Sequence, residues 1–248
     1  MAIIALKDVS VQFPVYDSNT RSLKKNFLRL ATGGTVSEDN RKHVMVDALK
    51  QISFTLQDGD RVGLVGHNGS GKSTLLRLLA EIYEPTNGQL HIDGHITSLL
   101  DITHGIESDF TGSENIAMRG AMIGLTRKEI KEKTAEIAEF SGLGDYLALP
   151  LRTYSSGMRM RLGFAISTCI KPDILLIDEI FGVGDASFID KAKQRMVSLL
   201  EQSSIVVMAS HANALIENFC NKALWLEGGR IKFFGPTQVA LERYAEAA

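Results

Sequence analysis

The chain has 248 residues, with 27 Lys and Arg against 29 Asp and Glu, a formal net charge of −2 at pH 7, and 44% hydrophobic residues. That is ordinary globular composition, long enough to bury a large core as one domain with room for a smaller lobe. The near-neutral balance excludes the overall positive field that draws a protein onto nucleic acid. Its two cysteines, Cys169 and Cys220, lie far apart and form no CxxC pair, so neither a metal cluster nor a disulfide framework is expected, and a reducing cytosol fits. The opening MAIIALKDVSVQF is unlike a signal peptide, and no apolar run approaches the roughly 20 residues of a spanning helix. A membrane role would need a separate anchor.

In chain order, residues 15–43 form a polar, glycine-containing insertion around the basic stretch SLKKNFLRL. There Leu23, Phe27 and Leu30 recur at i, i+4 and i+7, with Arg21, Lys24, Lys25 and Arg29 off that stripe. The pattern is a short amphipathic basic element, either a solvated surface insertion or a docking surface for a partner or membrane. Next, Arg61–Val65 reads as a buried strand that flows into GHNGSGKSTLLRLLAEIY, where a glycine-rich turn opens a helix carrying Leu75, Leu76, Leu78 and Leu79. From about Gly105 to Thr153 the strand pattern gives way to helix. Thr126 with Glu129 is a capping box there, and Ile130, Thr134, Ile137 and Ala138 share one helical face. Further strands are expected at Ile174–Ile177 and Ile205–Ala209, then a hairpin turning at Gly228 and Gly229, and a last helix over 238–248.

This alternation predicts an α/β fold of one domain over 1–248. Its parts are a parallel sheet, an N-terminal antiparallel β part and a helical lobe inserted at 105–160.

Gly66, His67, Asn68, Gly69, Ser70, Gly71, Lys72 and Ser73 match G-x-x-x-x-G-K-[ST] between a predicted strand and a predicted helix, followed by Thr74. Average residue usage would produce such a string in a chain of this length roughly one time in a hundred. The glycines let successive N–H groups point at a β-phosphate, and the helix adds its positive end. Lys72 supplies a cation for the β and γ oxygens, and the Ser73 hydroxyl is placed to ligate Mg²⁺.

In ILLIDE, four apolar residues end in two acids. Asp178 would hold the metal through its water shell, while Glu179 would polarise the attacking water as general base. The strand in SIVVMASH ends at His211, which at the carboxyl end of a parallel strand fits a γ-phosphate sensor. TYSSGMRMRL puts Ser155, Ser156 and Gly157 at a helix start. One serine caps the helix, and the cap accounts for neither the other serine nor the glycine.

Together these pieces resemble the nucleotide-binding subunit of an ABC transporter over nearly the whole length. GHNGSGKST, the helical lobe, YSSGM before a helix, ILLIDE, GVGDASF and His211 occur in that family's order. The resemblance identifies YSSGM with the family's signature sequence. It implies two chains paired head to tail, so that Ser156 and Gly157 of one face the γ-phosphate held by Lys72 of the other, with Asp185 in the loop crossing the seam. Where most members carry a glutamine near the metal, this chain has SLLDITHGIESDF, with Asp101 or its neighbour in that slot. For the aromatic that stacks on adenine, His43, Phe13 and Tyr16 are the candidates.

These departures are similar to the subgroup that exports polysaccharides (O-antigen, capsule or teichoic acid), O-antigen exporters above all. The resemblance implies an ATPase motor that uses ATP and Mg²⁺, acts as a pair, and drives a separate polytopic membrane permease at the cytoplasmic face of the inner membrane. A lipid-linked glycan is the cargo, and nucleic acid is no partner. The chain stops soon after the hairpin, without the carbohydrate-binding domain that some members add, so glycan recognition by this subunit is not expected. The rival reading is a soluble ABC-type ATPase acting on nucleic acid or ribosomes, with a phosphate-loop kinase weaker still because YSSGM would be idle.

Overall fold

The computed structural model describes residues 1–15, 36–38, 44–102, 105–178, 186–210 and 212–247. They divide between two compact units, one made of 1–96, 176–179 and 204–248, the other of 97–175 and 180–203.

The first unit begins with an antiparallel sheet of β1 (Ile3–Val15), β2 (Val36–Glu38), β3 (Val44–Gln57) and β5 (Asn87–Asp93), in the order β2-β3-β1-β5. Strict alternation would put Leu6 and Val9 on opposite faces, yet both are buried. A register shift between them, with Asp8 at φ 51, inserts the extra residue that restores the inward face. The Ser53 hydroxyl accepts the freed Asp8 N–H at 2.8 Å.

The second sheet of this unit is organised around β4 (Arg61–Val65), which runs parallel to β8 (Ile205–Ala209) on one side and β9 (Lys222–Glu227) on the other. Beyond β8 lies β7 (Ile174–Asp178), and beyond β9 the antiparallel β10 (Arg230–Pro236). All five residues of β8 are buried, as a strand covered on both faces requires. Helix α1 (Lys72–Leu79) lays Leu75, Leu76, Leu78 and Leu79 into the core at 0% exposure, each contributing about 1.5–3 kcal/mol. The strands expected at 61–65 and 205–209 coincide with β4 and β8, and β7 runs one residue beyond Ile177, to Asp178 itself.

Strand β6 (Ile96–Leu99) carries the chain into the second unit, which is mainly helical: α2 (Gly112–Met122), α3 (Arg127–Ser141), α4 (Ser156–Ser167) and α5 (Ala186–Gln202). Its core gathers Ile116, Ile137, Leu147, Leu151, Leu162 and Ile166. Thr126 caps α3 in the capping box with Glu129, and Thr111 with Glu114 forms a second one on α2. Phe140, Phe164 and Phe188 pack ring on ring at 5.5–6.0 Å, with the Arg195 guanidinium 4.6 Å from the Phe140 centroid and bonded to Glu136 at 2.7 Å.

Back in the first unit, α6 (Asn213–Phe219) presses Ile216 so close to β4 that a Cβ on Gly63 would meet it at 2.3 Å. The chain closes with α7 (Thr237–Ala247). Among the described residues no helix is long and apolar enough to cross a membrane.

Candidate functional site

The turn from β4 to α1 is a backbone cradle that only glycine can form. Gly66, Gly69 and Gly71 stand at φ 146, 79 and 111. A Cβ at Gly66 would lie 2.3 Å from the Leu226 carbonyl oxygen and 2.7 Å from the Ser70 hydroxyl. Gly71 is the N-cap of α1 and offers no side chain, so the first N–H groups of the helix have no side-chain acceptor.

Lys72 is 9% exposed, and its ammonium donates to the Gly66 carbonyl at 2.6 Å and the His67 carbonyl at 3.1 Å, folding over the loop from within. The Ser70 hydroxyl, 1% exposed, has no hydrogen-bond partner among the described residues, although such a group costs free energy when left unpaired. His67, Asn68 and Gly69 form the exposed rim, and Thr74 follows on α1.

The Ser73 hydroxyl donates to Asp178 Oδ2 at 3.1 Å, joining the start of α1 to the end of β7 across 105 residues of sequence. A hydroxyl and a carboxylate are hard oxygen donors, the pair that suits Mg²⁺ with its remaining positions left to phosphate and water. Ser73 and Asp178, two of the three residues expected at the metal, are thus in contact, and Asp101 is not part of that pair. Glu179, Asp185 and His211 lie outside the described residues. So do Tyr16 and His43 and the basic stretch 21–30, while Phe13 on β1 sits edge-on to Tyr83 at 5.1 Å.

In the second unit, Ser155 is the N-cap of α4, its hydroxyl accepting the Met158 N–H at 3.2 Å. Ser156 is then the first helical residue and is exposed. A Cβ built on Gly157 would find nothing closer than the Ser155 hydroxyl at 3.9 Å, so packing within the described chain does not require a glycine there.

Asp101 is exposed at the start of the 101–111 loop, and Arg119 from α2 holds the next carbonyl, that of Ile102, at 2.6 Å. Burial lowers the Arg119 pKa, and the Asp101 charge opposes that shift. Gly163 of α4 closes on the same carbonyl, since its Cβ would lie 2.3 Å from the oxygen.

Sequence reasoning missed two contributors to these sites. Gly229, read only as a turn residue, donates its N–H to the Ser70 carbonyl at 3.0 Å. Asn115, fully buried in Thr111–Ile116, binds the 107–111 backbone; its position one residue past the Thr111–Glu114 capping box was the available signal.

A strand, a glycine cradle, a helix opening on a buried lysine, and a serine set against a strand-end aspartate define a phosphate-loop nucleotide-binding core. Residues 49–182 match the family described as ABC transporter. The O-antigen export system ATP-binding protein RfbE of Yersinia enterocolitica is 44% identical over 231 residues, covering 93% of this chain and 97% of RfbE. RfbB of Myxococcus xanthus, also an O-antigen export system ATP-binding protein, is 42% identical over the whole chain, which spans 56% of RfbB's length. Among solved structures, an ATP-binding subunit of an ABC transporter superposes with a TM-score of 0.69 at 20% identity, covering 98% of this chain and 93% of that one. The chain belongs to the ABC transporter family and carries its ATPase fold.

Proposed function

We propose that the chain is the ATP-hydrolysing motor subunit of a transporter that exports a lipid-linked polysaccharide, O-antigen in the first place, through a separate polytopic membrane subunit. The observation that carries this reading is the 44% identity with RfbE across nearly the full length of both chains. On this reading the protein sits at the cytoplasmic face of the inner membrane, peripheral through its membrane partner.

In the proposed site the N–H groups of Gly66 to Ser73 receive the β-phosphate, and Lys72 turns from the loop carbonyls to the β and γ oxygens. Mg²⁺ bound with the nucleotide would supply positive charge across those oxygens, held by Ser73 and through water by Asp178, with Asp101 as a further candidate ligand. Glu179 takes the proton of the attacking water, and His211 contacts the γ-phosphate. Two chains close head to tail over two ATPs, Ser156 and Gly157 of each meeting the nucleotide of the other, with Asp185 at the seam. The room at Gly157 supports this arrangement, because a glycine that no internal contact requires leaves space for the close approach of an outside group.

The test is recovery of the tagged chain from membranes in mild detergent. Co-purification of a polytopic membrane protein supports the reading. Recovery with ribosomes or nucleic acid, and no membrane protein, overturns it in favour of a soluble ABC-type ATPase.

A further inference from the structure

The approach to the Ser155–Gly157 motif is fixed by a continuous hydrogen-bonded path between two helices of the second unit. It starts at Asn115 on α2, which is 0% exposed and spends its whole amide on the preceding loop. Its Oδ1 accepts the Glu107 N–H at 2.8 Å, and its Nδ2 faces the carbonyls of Glu107, Thr111 and Phe110 at 2.9, 3.0 and 3.3 Å. The Phe110 carbonyl is shared, since it also accepts the Leu151 N–H at 2.9 Å. One residue on, the Arg152 N–H reaches the Ser108 carbonyl at 2.8 Å.

The far side of the same peptides belongs to Arg159 on α4. Its Nε donates to the Leu151 carbonyl at 3.1 Å, and its Nη2 stands 3.5 Å from the Arg152 carbonyl. Leu151 is thus held from both ends, by loop 107–111 through its N–H and by Arg159 through its carbonyl. It lies four residues ahead of the N-cap Ser155, and Arg159 lies four residues behind it on the first turns of α4. A helix that grips the 3₁₀ turn Leu151–Thr153 leading into it has its first turn fixed in both direction and rotation.

We infer that Asn115 and Arg159 are positioning residues for Ser155, Ser156 and Gly157, holding that helix start in the orientation in which it meets the triphosphate bound to a second copy of the chain. This rests on the head-to-tail reading above. Pre-organisation is the physical point: a donor array already in place loses little freedom when the second chain arrives, so its loosening is felt in association of the pair. The phosphate loop of the same chain makes none of these bonds, so nucleotide binding to a single chain is left intact.

The experiment follows dimerisation of the full-length chain driven by a β,γ-imido analogue of ATP, by sedimentation velocity, beside binding of a fluorescent analogue to the dilute monomer. Arg159→Met and Asn115→Ser should each raise the analogue concentration needed for dimerisation by about tenfold, with monomer binding unchanged. Arg159→Lys should recover part of the loss, and the double variant should lose less than the product of the two singles, as coupled sites do. Dimerisation unchanged in both single variants overturns the proposal, as does a parallel loss of monomer binding, the mark of general unfolding. Ser156→Tyr separates the two levels. If it leaves dimerisation intact, the head-to-tail site itself falls; if it abolishes dimerisation while the Asn115 and Arg159 variants do not, only the positioning role falls.

Discussion

The N–H of Gly229, at the tip of the β9–β10 hairpin, donates to the carbonyl of Ser70 in the phosphate loop at 3.0 Å, while the Gly229 carbonyl accepts the Lys50 N–H of β3 at 2.7 Å. One glycine therefore joins the antiparallel sheet, the hairpin and the nucleotide loop. Gly229 stands at φ 77, and a Cβ there would lie 2.7 Å from the Ala48 carbonyl oxygen. Gly229→Ala should cost about 1–3 kcal/mol and weaken ATP binding, read by denaturant unfolding and by nucleotide titration. Gly228→Ala, at φ 53 with nothing within 4 Å of its Cβ, should cost less and leave ATP affinity near the parent value.

Lys72→Ala removes the ammonium that the Gly66 and His67 carbonyls hold in place, and is expected to lower ATP affinity itself. Glu179→Gln should instead preserve ATP binding, slow turnover severely and stabilise the closed pair. Nucleotide titration beside steady-state hydrolysis distinguishes the two, and normal turnover in Glu179→Gln would remove Glu179 as the base.

Hydrogen bonds from Thr111 and Thr126 hold the Glu114 and Glu129 carboxyls below the ordinary glutamate value of 4.5. A folded-state pKa below the unfolded one gives stability that is present above the unfolded value and lost as pH falls through the folded one. Glu129→Gln should therefore be less stable than the parent at pH 7, with the difference shrinking as pH drops below 4.5. Denaturant midpoints across that range are the measurement.

Both cysteines are buried, and burial pushes the Cys220 thiol up to about 12 and raises Cys169 as well. At pH 8 only about one Cys220 in ten thousand would be thiolate. Neither should react with a disulfide reagent in the native protein, and both should react once it is unfolded. Rapid labelling of Cys220 in the folded state would contradict its burial.

On the docking reading of the basic stretch, reversing the four charges Arg21, Lys24, Lys25 and Arg29 should lower recovery of the assembled protein with membranes, by about 1 kcal/mol for each cation near an anionic surface. Unchanged recovery would assign that stretch to the solvated surface.

The phosphate loop was legible because its chemistry is local. Glycines at fixed offsets, a lysine and a serine form the cradle within eight consecutive residues, and β4 and α1 flank it as their apolar patterns require. Asp178 could be named from the acids ending an apolar run, although its bond to Ser73 depends on the order of strands. Ser155 and Ser156 were indistinguishable as caps until backbone geometry chose Ser155. Gly229 was out of reach because its partners are backbone groups, whose identity a sequence does not encode, and Asn115 offered only its place after the Thr111–Glu114 capping box. The bulge at Asp8 was hidden for a related reason: β1 does not alternate cleanly, and only its partner strand reveals where the extra residue sits.

The wall behind Gly66 is the Leu226 carbonyl, and the support under Ser70 is Gly229, each about 160 residues further along the chain. During synthesis the ribosome therefore releases the phosphate loop some 150 residues before the hairpin that braces it. A nascent chain halted ahead of Leu226 carries the whole glycine-lysine sequence without its backing, so tight ATP binding should arise only once the hairpin has emerged.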